Sequence, residues 1–438
     1  MSENKQFRAI RGTRDILPPD SALWNRFERQ ARDTFEAYGF RDIRTPIFED
    51  TDLFARSVGT DTDIVSKEMY TFAASSDGVA SDSGDQMSLR PEGTASVCRA
   101  YIEHGMHTLP GNVKLYYSGP MFRRERPQKG RYRQFYQMGA EVLGQSDAPG
   151  IDAEVIEMLV VLFRRVGLEK ITLYVNSIGC KECRPKYVEL LRAELRNVKE
   201  QLGADSQRRI ETNPLRVLDS KLPEEQPIID KLPRISDQLC DDCRAHFAKL
   251  KEELALRHVA YEENWRLVRG LDYYTRTTFE VTAAGLGSQN AVCGGGRYDG
   301  LVELLGGPPT KGIGFAIGTD RAILSIQENH RAGIGKLPHL PGLAVFIAWM
   351  GQKTYPTAVA MARKLRECGV IVELPAEEMK FKKSLGLADK LGARYALIIG
   401  EDEVTSGTYT LKRLADANQQ KLGEPELLEY LESERRGL

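Results

Sequence analysis

The segment Phe135–Leu143 constrains the fold most strongly, because its side chains alternate between two chemical characters. In a strand, successive side chains face opposite sides of the sheet. One side of this strand would carry an apolar set suited to a core: Tyr136, Met138, Ala140 and Val142. The other would carry Gln137, Gly139 and Glu141. The sequence therefore predicts a strand with a core face and a polar floor, with open space above the glycine.

A strongly cationic stretch precedes this strand. The upstream strand places Arg123 and Glu125 on the face opposite Phe122. The loop 124–133 then contains five cations: Arg124, Arg126, Lys129, Arg131 and Arg133. Taken alone, such a loop is as often a solvated hairpin as a binding element. Next to a polar strand floor, it favours contact with a polyphosphate or with RNA.

A third polar cluster lies at Arg269–Glu280, which reads Arg-Gly-Leu-Asp-Tyr-Tyr-Thr-Arg-Thr-Thr-Phe-Glu. An arginine, an aspartate and two tyrosines precede a strand predicted at Thr277–Thr282. Tyrosine offers an apolar face and a hydroxyl, whereas arginine offers a fork of donors suited to phosphate or carboxylate. The alternative is a polar strand edge. The combination favours a site for a small polar ring and a phosphate.

Length and composition exclude several classes of protein. A chain of 438 residues is too long for one core and predicts two or three domains. Hydrophobic content of 41% with 28% charged residues is typical of soluble globular proteins, and the net charge of −1 excludes a globally basic nucleic-acid coat. We expect no membrane span and no signal peptide. Seven cysteines, an odd number, predict reduced thiols and a cytoplasmic location.

The N-terminal part predicts helices and strands in alternation. A helix is expected at Ser21–Tyr38, ended by a glycine. Arg41–Phe48 reads as a strand interrupted by Pro46, and because proline cannot donate a hydrogen bond, that strand should lie at a sheet edge. Ala74–Gly84 predicts a mobile hairpin tip or loop. Strands dominate residues 113–144.

Changes in pattern predict the domain organisation. Charged helical sequence at about 178–258 looks like a module inserted into a strand-rich domain, 1–330, whose strands resume at Val268–Gly318. A polar linker follows at 331–341. Residues 342–438 alternate between apolar and helical segments, which predicts a small α/β domain with a partly parallel sheet.

Two cysteine pairs bracket the predicted module. Cys180 and Cys183, and Cys240 and Cys243, each have the spacing of two zinc ligands. The gap between the pairs is much longer than in an ordinary zinc ribbon. A structural zinc site and four metal-free thiols therefore both remain open, with His246 as an alternative ligand or a solvent-facing side chain.

These segments resemble the motifs of the histidyl-tRNA synthetase family, which belongs to class IIa of the aminoacyl-tRNA synthetases. The resemblance extends over essentially the full length. Arg41–Phe48 is similar to motif 1, the segment from Arg123 to Leu143 to motif 2, and Gly312–Arg321 to motif 3. Four further segments are family-like: Arg11–Asp15, the amino-acid-binding turn Arg90–Thr94, and the histidine-specific motifs Arg269–Glu280 and Gly294–Gly300.

The resemblance implies an α+β fold with an antiparallel-sheet catalytic domain, an inserted helical module and a C-terminal α/β anticodon-binding domain. It implies that L-histidine is activated with ATP to histidyl-adenylate and transferred to the 3′ end of tRNA(His). It also implies Mg²⁺ on the outer phosphates of ATP and a homodimer formed through motif 1.

The resemblance also implies roles for single residues, with Arg269 and Arg123 as the catalytic pair beside the α-phosphate. The implied histidine-binding set is Glu92, Gly93, Thr94, Arg123, Gln137, Glu141, Arg269, Tyr273 and Tyr274. The implied ATP-binding set is Arg123, Glu125, Arg131 and Arg321. Within these sets, Glu141 and Tyr274 would bond the imidazole. A site of this kind rejects isosteres by about 10⁴–10⁵, so no editing domain is expected.

Three other readings stay open on the residues alone. The regulatory subunit of ATP phosphoribosyltransferase keeps this fold, but it usually lacks the C-terminal domain and degrades the motif at Arg269–Glu280. A pseudo-synthetase RNA-sensing domain of a kinase would be flanked by kinase motifs. A different class II specificity would need another motif at 269–274. In the C-terminal domain we expect Trp349 and Tyr395 in the core, and a solvated lysine run: Lys380, Lys382 and Lys383.

Overall fold

The computed structural model describes residues 6–59, 62, 64–73, 86–270, 273–285, 290–334 and 342–436. The loop predicted at Ala74–Gly84 lies outside the described residues, as do Leu271, Asp272 and most of the predicted linker. The chain divides into two compact units, Met1–Pro338 and His339–Leu438. Within the part that is described, no helix is both long and apolar enough to cross a membrane.

The first unit is built on eleven described strands. In chain order they are β1 Arg41–Asp42, β2 Phe48–Asp50, β3 Tyr70–Ala73, β4 Gln86–Leu89, β5 Val113–Phe122, β6 Gln134–Gly144, β7 Ile171–Ser177, β8 Glu262–Glu263, β9 Thr275–Ala283, β10 Ala291–Arg297 and β11 Lys311–Gly318. Eight of them form one sheet in the order β1-β5-β6-β11-β10-β9-β7-β8. Only its two edge pairs, β1 with β5 and β7 with β8, are parallel. The predicted antiparallel sheet is therefore confirmed.

The helices of the first unit cover the sheet and fill the stretch between β7 and β8. They are α1 Asp20–Ala37, α2 Thr51–Val58, α3 Thr94–Glu103, α4 Pro149–Arg165, α5 Cys183–Asn197, α6 Ala204–Thr212, α7 Gln226–Ile229, α8 Asp241–Leu256, α9 Leu301–Leu304 and α10 Thr319–Arg331. Helices α5 to α8 occupy the segment predicted as an inserted helical module. The domain bounds themselves stay a prediction.

One face of the large sheet packs on α1, as the apolar side of β6 predicted. The Phe35 ring lies 5.4 Å from the Tyr116 ring and 6.0 Å from the Phe315 ring, measured between centroids. Trp24 meets Tyr136 edge-on at 5.3 Å. With Met138 fully buried beneath them, these contacts leave the opposite face of the sheet for polar groups.

The strand predicted at Arg41–Phe48 with an interruption at Pro46 is broken, but its two parts belong to different sheets, which was not expected. β1 lies at the edge of the large sheet, as predicted, whereas β2 belongs to the three-stranded sheet β2-β4-β3. Pro46 has no N–H to donate. The Arg90 guanidinium donates hydrogen bonds to the carbonyls of Thr45 at 3.0 Å and Pro46 at 3.3 Å. These carbonyls therefore do not pair with a neighbouring strand.

The second unit has its own sheet and core. Its strands are β12 Val345–Trp349, β13 Val372–Glu373, β14 Tyr395–Ile399, β15 Thr408–Arg413 and β16 Gln419–Gly423, and its helices are α11 Tyr355–Glu367, α12 Phe381–Lys390, α13 Glu401–Ser406 and α14 Glu424–Arg436. The sheet order is β13-β12-β14-β15-β16, parallel in its first three strands and antiparallel in the last two pairings. The partly parallel sheet is thus confirmed. Trp349 and Tyr395 are buried and Lys380 is exposed, as expected.

Candidate active site

Glycines on the polar face of the large sheet make room for the functional side chains. A Cβ added at Gly314 would lie 1.7 Å from Oε2 of Glu141. One at Gly294 would lie 1.9 Å from Nη2 of Arg269. The space predicted above Gly139 is filled by Tyr117, whose Cζ would be 2.3 Å from an added Cβ. Real Cβ atoms do not approach other atoms so closely, so a side chain at any of these positions would force its neighbour to move.

Glu141 is the most deeply buried acid of this face, at 1% exposure. Its two oxygens accept hydrogen bonds from the Thr94 hydroxyl at 2.7 Å and from the Tyr298 hydroxyl at 2.6 Å. Burial raises the pKa of Glu141 to about 8, although both hydroxyl bonds act in the opposite direction. A carboxyl in this environment favours a ligand that donates an N–H.

The side chain of Glu92 caps the N-terminus of helix α3. Its carboxylate oxygens accept from the backbone N–H groups of Thr94 at 2.7 Å and Ala95 at 2.9 Å, which would otherwise lack partners at the first turn of α3. Burial raises the pKa of Glu92. Thr94 is therefore held between Glu92 and Glu141, and α3 connects the two carboxyls.

Three tyrosines form an aromatic wall beside Glu141. The centroids of the Tyr273 and Tyr274 rings are 4.7 Å apart, and Tyr273 meets the Tyr298 ring at 5.8 Å in a T-shaped contact. All three are buried. The Arg269 guanidinium carbon lies 5.9 Å from the Tyr274 ring centroid, which places the arginine between this wall and the open part of the site.

An open cleft of about 420 Å³ adjoins the buried cluster. The cleft is lined by the four residues of the implied ATP-binding set, Arg123, Glu125, Arg131 and Arg321. Gln137 and Arg269 line it as well. Arg123 donates to the Pro91 carbonyl at 2.9 Å and lies over the Phe135 ring at 5.2 Å. Arg269 donates to Glu280 at 2.8 Å. Burial and the nearby Arg131 lower the pKa of Arg321. The cleft is cationic and suits an anion.

Gln137 connects the cleft with the buried cluster. It lines the cleft, and its Oε1 atom is buried without a hydrogen-bond partner among the described residues. Such an acceptor is costly unless a ligand satisfies it. An ammonium group at this point would supply the missing donor.

The family-like N-terminal segment is tied to the start of α10. Arg14 donates to Asp320 at 2.7 Å and stacks over the Tyr132 ring at 4.5 Å. The other Asp320 oxygen accepts from the Tyr136 N–H at 2.8 Å. This contact orients the first turn of α10, on which Arg321 follows directly.

The structure brings together every residue of the two implied sets, in two adjoining groups. Their roles as ligands stay predictions. The sequence analysis missed three residues of the site, Tyr117, Asp219 and Lys221. It also missed the hydrogen bond from Tyr298 to Glu141. Alternation along β5 gives Tyr117 as a signal, because it lies opposite Gly139. Asp219 and Lys221 come from the inserted segment, where no local pattern distinguishes them from other charged residues.

Both cysteine pairs also come together, with all four Sγ atoms within 4.8 Å of one another. His246 is buried rather than solvent-facing, so that expectation is wrong. Its Nε2 atom lies 3.1 Å from the Asp147 carbonyl and 3.7 Å from Asp152. Helix α8 turns this side chain toward the sheet, away from solvent.

Two family models match most of this chain. The model described as Histidyl-tRNA synthetase matches residues 12–322, and the one described as Anticodon binding domain matches residues 344–434. The histidine–tRNA ligase of Koribacter versatilis is 53% identical over 428 residues, covering 97% of this chain and 96% of that protein. That of Solibacter usitatus is 52% identical over 427 residues, covering 97% and 99%. The crystal structure of apo S. aureus histidyl-tRNA synthetase has a TM-score of 0.78 at 36% identity and covers 98% of this chain and 100% of that one. The chain therefore belongs to the histidyl-tRNA synthetase family.

Proposed function

We propose that this protein is a histidine–tRNA ligase, which activates L-histidine with ATP and transfers the histidyl group to the 3′ end of tRNA(His). The observation that carries the proposal is the buried carboxyl of Glu141, enclosed by hydroxyls and tyrosines, beside a cleft lined with arginines. One part suits an imidazole, and the other suits a triphosphate. Membership of the family supports the same assignment.

Activation joins two anions, so the site must align them and neutralise charge. The histidine carboxylate is ionised at neutral pH and attacks the α-phosphate without a general base. Pyrophosphate leaves, and histidyl-adenylate remains. Arg123, which follows β5, and Arg269, which lies between β8 and β9, both line the cleft and would flank the α-phosphate. Arg321 would hold the γ-phosphate end. Fixed cations and alignment are the two means by which such a barrier falls.

Recognition of histidine would rest on the buried group. Glu141 would accept the imidazole N–H, with Tyr274 on the other ring nitrogen. The α-amino group would lie near Glu92, Thr94 and the unpartnered Oε1 atom of Gln137. Burial raises the pKa of Glu141 and so disfavours its ionised form. A bound N–H donor would stabilise that ionised form.

Magnesium is the expected companion of ATP. Glu125 and Glu280 line the cleft and offer the oxygen ligands that Mg²⁺ prefers. When bound, the ion would neutralise charge on the outer phosphates. The protein's own part is to hold those phosphates with Arg131 and Arg321.

The tRNA would contact both units. The loop between β5 and β6 contains several cations, among them Arg124 and Arg126, which would meet the acceptor end of the tRNA. The second unit would bind the anticodon. We propose domain bounds of 1–330 for catalysis, with the module at about 178–258, and 342–438 for anticodon binding, joined by the linker 331–341. Seven free cysteines support a cytoplasmic location.

We also propose a homodimer formed through the motif 1 region. Large apolar side chains are exposed on this part of the chain, with Ile47 at 43%, Phe48 at 53% and Phe72 at 42%. A second copy that covers them would remove apolar surface from water. Light scattering of the purified chain should give twice the mass of one chain.

The test of the function is ATP–pyrophosphate exchange with each of the twenty amino acids in turn. Exchange with histidine alone, followed by charging of tRNA(His), is the expected result. Exchange with another amino acid would overturn the specificity. Histidine binding without exchange would instead indicate a regulatory paralogue that senses histidine.

A further inference from the structure

The four cysteines at the root of the inserted helices have the spacing of a tetrahedral metal site. Sγ of Cys180 lies 3.7 Å from Sγ of Cys183 and 3.8 Å from Sγ of Cys240, and Cys183 lies 3.8 Å from Cys243. These distances are far longer than a disulfide bond of about 2.05 Å. Four sulfurs around one ion at about 2.3 Å would lie roughly 3.8 Å apart.

The backbone around the first pair is shaped to turn both sulfurs inward. The N–H of Cys180 points at Sγ of Cys183 at 3.3 Å, and the N–H of Glu182 at Sγ of Cys180 at 3.5 Å. Gly179 has a positive φ of 71°, and a Cβ there would lie 2.8 Å from Sγ of Cys183. The two N–H contacts and the turn at Gly179 therefore fix the positions of both sulfurs.

The second pair reaches the same point from a distant part of the chain. Cys240 immediately precedes α8, and Cys243 lies in its first turn. Cys183 and Cys243 are buried, whereas Cys180 and Cys240 are half-buried. All four sulfurs therefore face one another rather than solvent, and no fifth ligand or open coordination position is needed.

We propose that Cys180, Cys183, Cys240 and Cys243 bind one Zn²⁺ ion in a closed structural site. Zinc fits because it accepts four thiolates in tetrahedral geometry, imposes no geometric preference of its own and undergoes no redox change. The ion would fasten the start of α5 to the start of α8, and so hold the two ends of the inserted segment together.

This site is linked to the tyrosines beside Glu141 by three hydrogen bonds, one from a side chain and two within the backbone. Arg184, next to Cys183, donates to the carbonyl of Tyr274. The N–H of Arg276 donates to the carbonyl of Gly179 at 2.8 Å, and the Ile178 N–H returns a bond of 2.8 Å to the Arg276 carbonyl. The cysteines would thus be positioning residues for Tyr274, a consequence that rests on the proposed function, whereas the metal site itself does not.

Metal analysis of the full-length chain tests the site directly. Protein purified without chelator should contain about one equivalent of zinc per chain. After the zinc is removed under reducing conditions, added Co²⁺ should give the intense thiolate-to-cobalt absorption and the visible bands of a tetrahedral centre. Zinc well below one equivalent with no such cobalt spectrum would overturn the proposal, as would iron in place of zinc.

Serine variants assign the ligands. Cys180→Ser and Cys243→Ser should each lower zinc affinity by about 10-fold to 100-fold or more, measured by competition with a chromophoric chelator. The control is Cys368→Ser, which changes a half-buried cysteine of the second unit and should keep full zinc content. Since Cys243→Ser alters a buried position, Cys180→Ser provides the milder second variant.

Kinetics separate positioning from general stability. In Cys180→Ser, KM for histidine in the exchange reaction should rise several-fold while KM for ATP stays near the wild-type value. Equal changes in both constants would overturn the link to Tyr274. A wild-type chain that holds zinc but shows no histidine-dependent exchange would instead contradict the proposed function and leave the metal site standing.

Discussion

Glu141 accepts hydrogen bonds from two hydroxyl groups, Thr94 and Tyr298, in a setting that water scarcely reaches. Neutral hydroxyls stabilise a carboxylate less than a cation does, so this residue keeps an unmet demand for a donor. An imidazole N–H meets it at low steric cost. In the proposed function this residue would therefore give specificity, while the arginines of the cleft would give rate.

Replacing Glu141 by alanine should weaken histidine binding much more than ATP binding. The imidazole loses a charge-assisted partner, while the arginines of the cleft are untouched. We expect KM for histidine in the exchange reaction to rise at least about 100-fold, and KM for ATP to change by less than about threefold.

The matched control for this variant is Glu225→Ala. Glu225 is equally buried and accepts from the Gly203 N–H at 2.7 Å and the Ser206 hydroxyl at 2.8 Å, and none of these three residues belongs to the implied histidine-binding or ATP-binding set. It should lower stability without separating the two KM values. Equal losses for histidine and ATP in Glu141→Ala would refute the assignment.

The same carboxyl should make stability depend on pH. An unfolded glutamate ionises near pH 4.5, whereas the pKa of Glu141 in the folded chain is about 8. Between these values the unfolded state has lost the proton that the folded state keeps, so a rise in pH lowers the free energy of unfolding by on the order of 1 kcal/mol per pH unit. Above pH 8 this loss is complete.

Urea unfolding near pH 6 and near pH 8 measures this effect as a difference between two proteins. Glu141→Gln removes the titrating group and keeps its size, so the variant should lose less stability over this interval than the wild type. If both proteins lose the same stability between pH 6 and pH 8, the carboxyl of Glu141 does not titrate in that interval.

Arg269 should act mainly on the chemical step. Its guanidinium faces the cleft, fills the space above Gly294 and pairs with Glu280. In Arg269→Ala the rate of adenylate formation in a single turnover should fall by about 10²–10³. The control is Arg257→Ala, which breaks a half-buried ion pair with Glu253 away from the cleft. A single-turnover rate that stays at the wild-type value would exclude the catalytic role.

Strand β6 carries the core on one side and the candidate site on the other. On the polar side its neighbour β11 contributes small residues, whereas β5 contributes Tyr117. Opposite Glu141 lies Gly314, and opposite Gly139 lie Tyr117 and Ala316. The pleat of the sheet thus decides which side chains reach the ligand. A change in a glycine of the floor acts on the site through the strand itself.

Gly314→Ala should disable histidine binding without any change in a predicted ligand. The new methyl group would overlap Oε2 of Glu141 and the Ala140 carbonyl, at 1.7 and 2.6 Å. We expect KM for histidine to rise at least about tenfold and the free energy of unfolding to fall by about 1–3 kcal/mol. Gly150→Ala is the control, since its nearest neighbour lies at an ordinary 3.6 Å. Unaltered histidine kinetics would show that the floor is not rigid.

Much of this arrangement could be predicted from the sequence because it depends on short spacings. The two faces of β6 follow from its alternation, and the cations of the next loop from their density. Pro46 indicated the interruption of Arg41–Phe48, but the division of this segment between two sheets could not be predicted, since the carbonyls at the break bind the guanidinium of Arg90, more than forty residues away. The same holds for Lys221, which reaches the cleft only through the packing of the inserted helices.

The two units have separate hydrophobic cores, and that of the second includes Val345, Leu397 and Leu427. Each is large enough to bury its own apolar side chains. In the proposed function, activation would require only groups of the first unit, whereas charging would need a tRNA that is held at two points. Simultaneous contacts on one ligand raise its effective concentration at the second site.

A chain that ends at Pro338 should therefore separate the two reactions. It should keep histidine-dependent exchange within about threefold and lose at least about tenfold in kcat/KM for tRNA(His) charging. Exchange and filter-bound charging assays on the same preparation give both values. Loss of exchange in a truncated chain whose circular dichroism still shows a folded sheet would mean that the second unit takes part in activation.

The order of the large sheet has a consequence for how the chain is made on the ribosome. β6 ends at Gly144, yet its partner β11 begins at Lys311. At 5–20 residues per second, translation needs on the order of ten to thirty seconds to cover the roughly 170 residues between them. Throughout that interval, one edge of the strand that bears Glu141 lacks its partner strand. This edge can then pair with other nascent chains. Ribosome-bound chains that stop before β11 should therefore depend on chaperones much more than chains that have completed it.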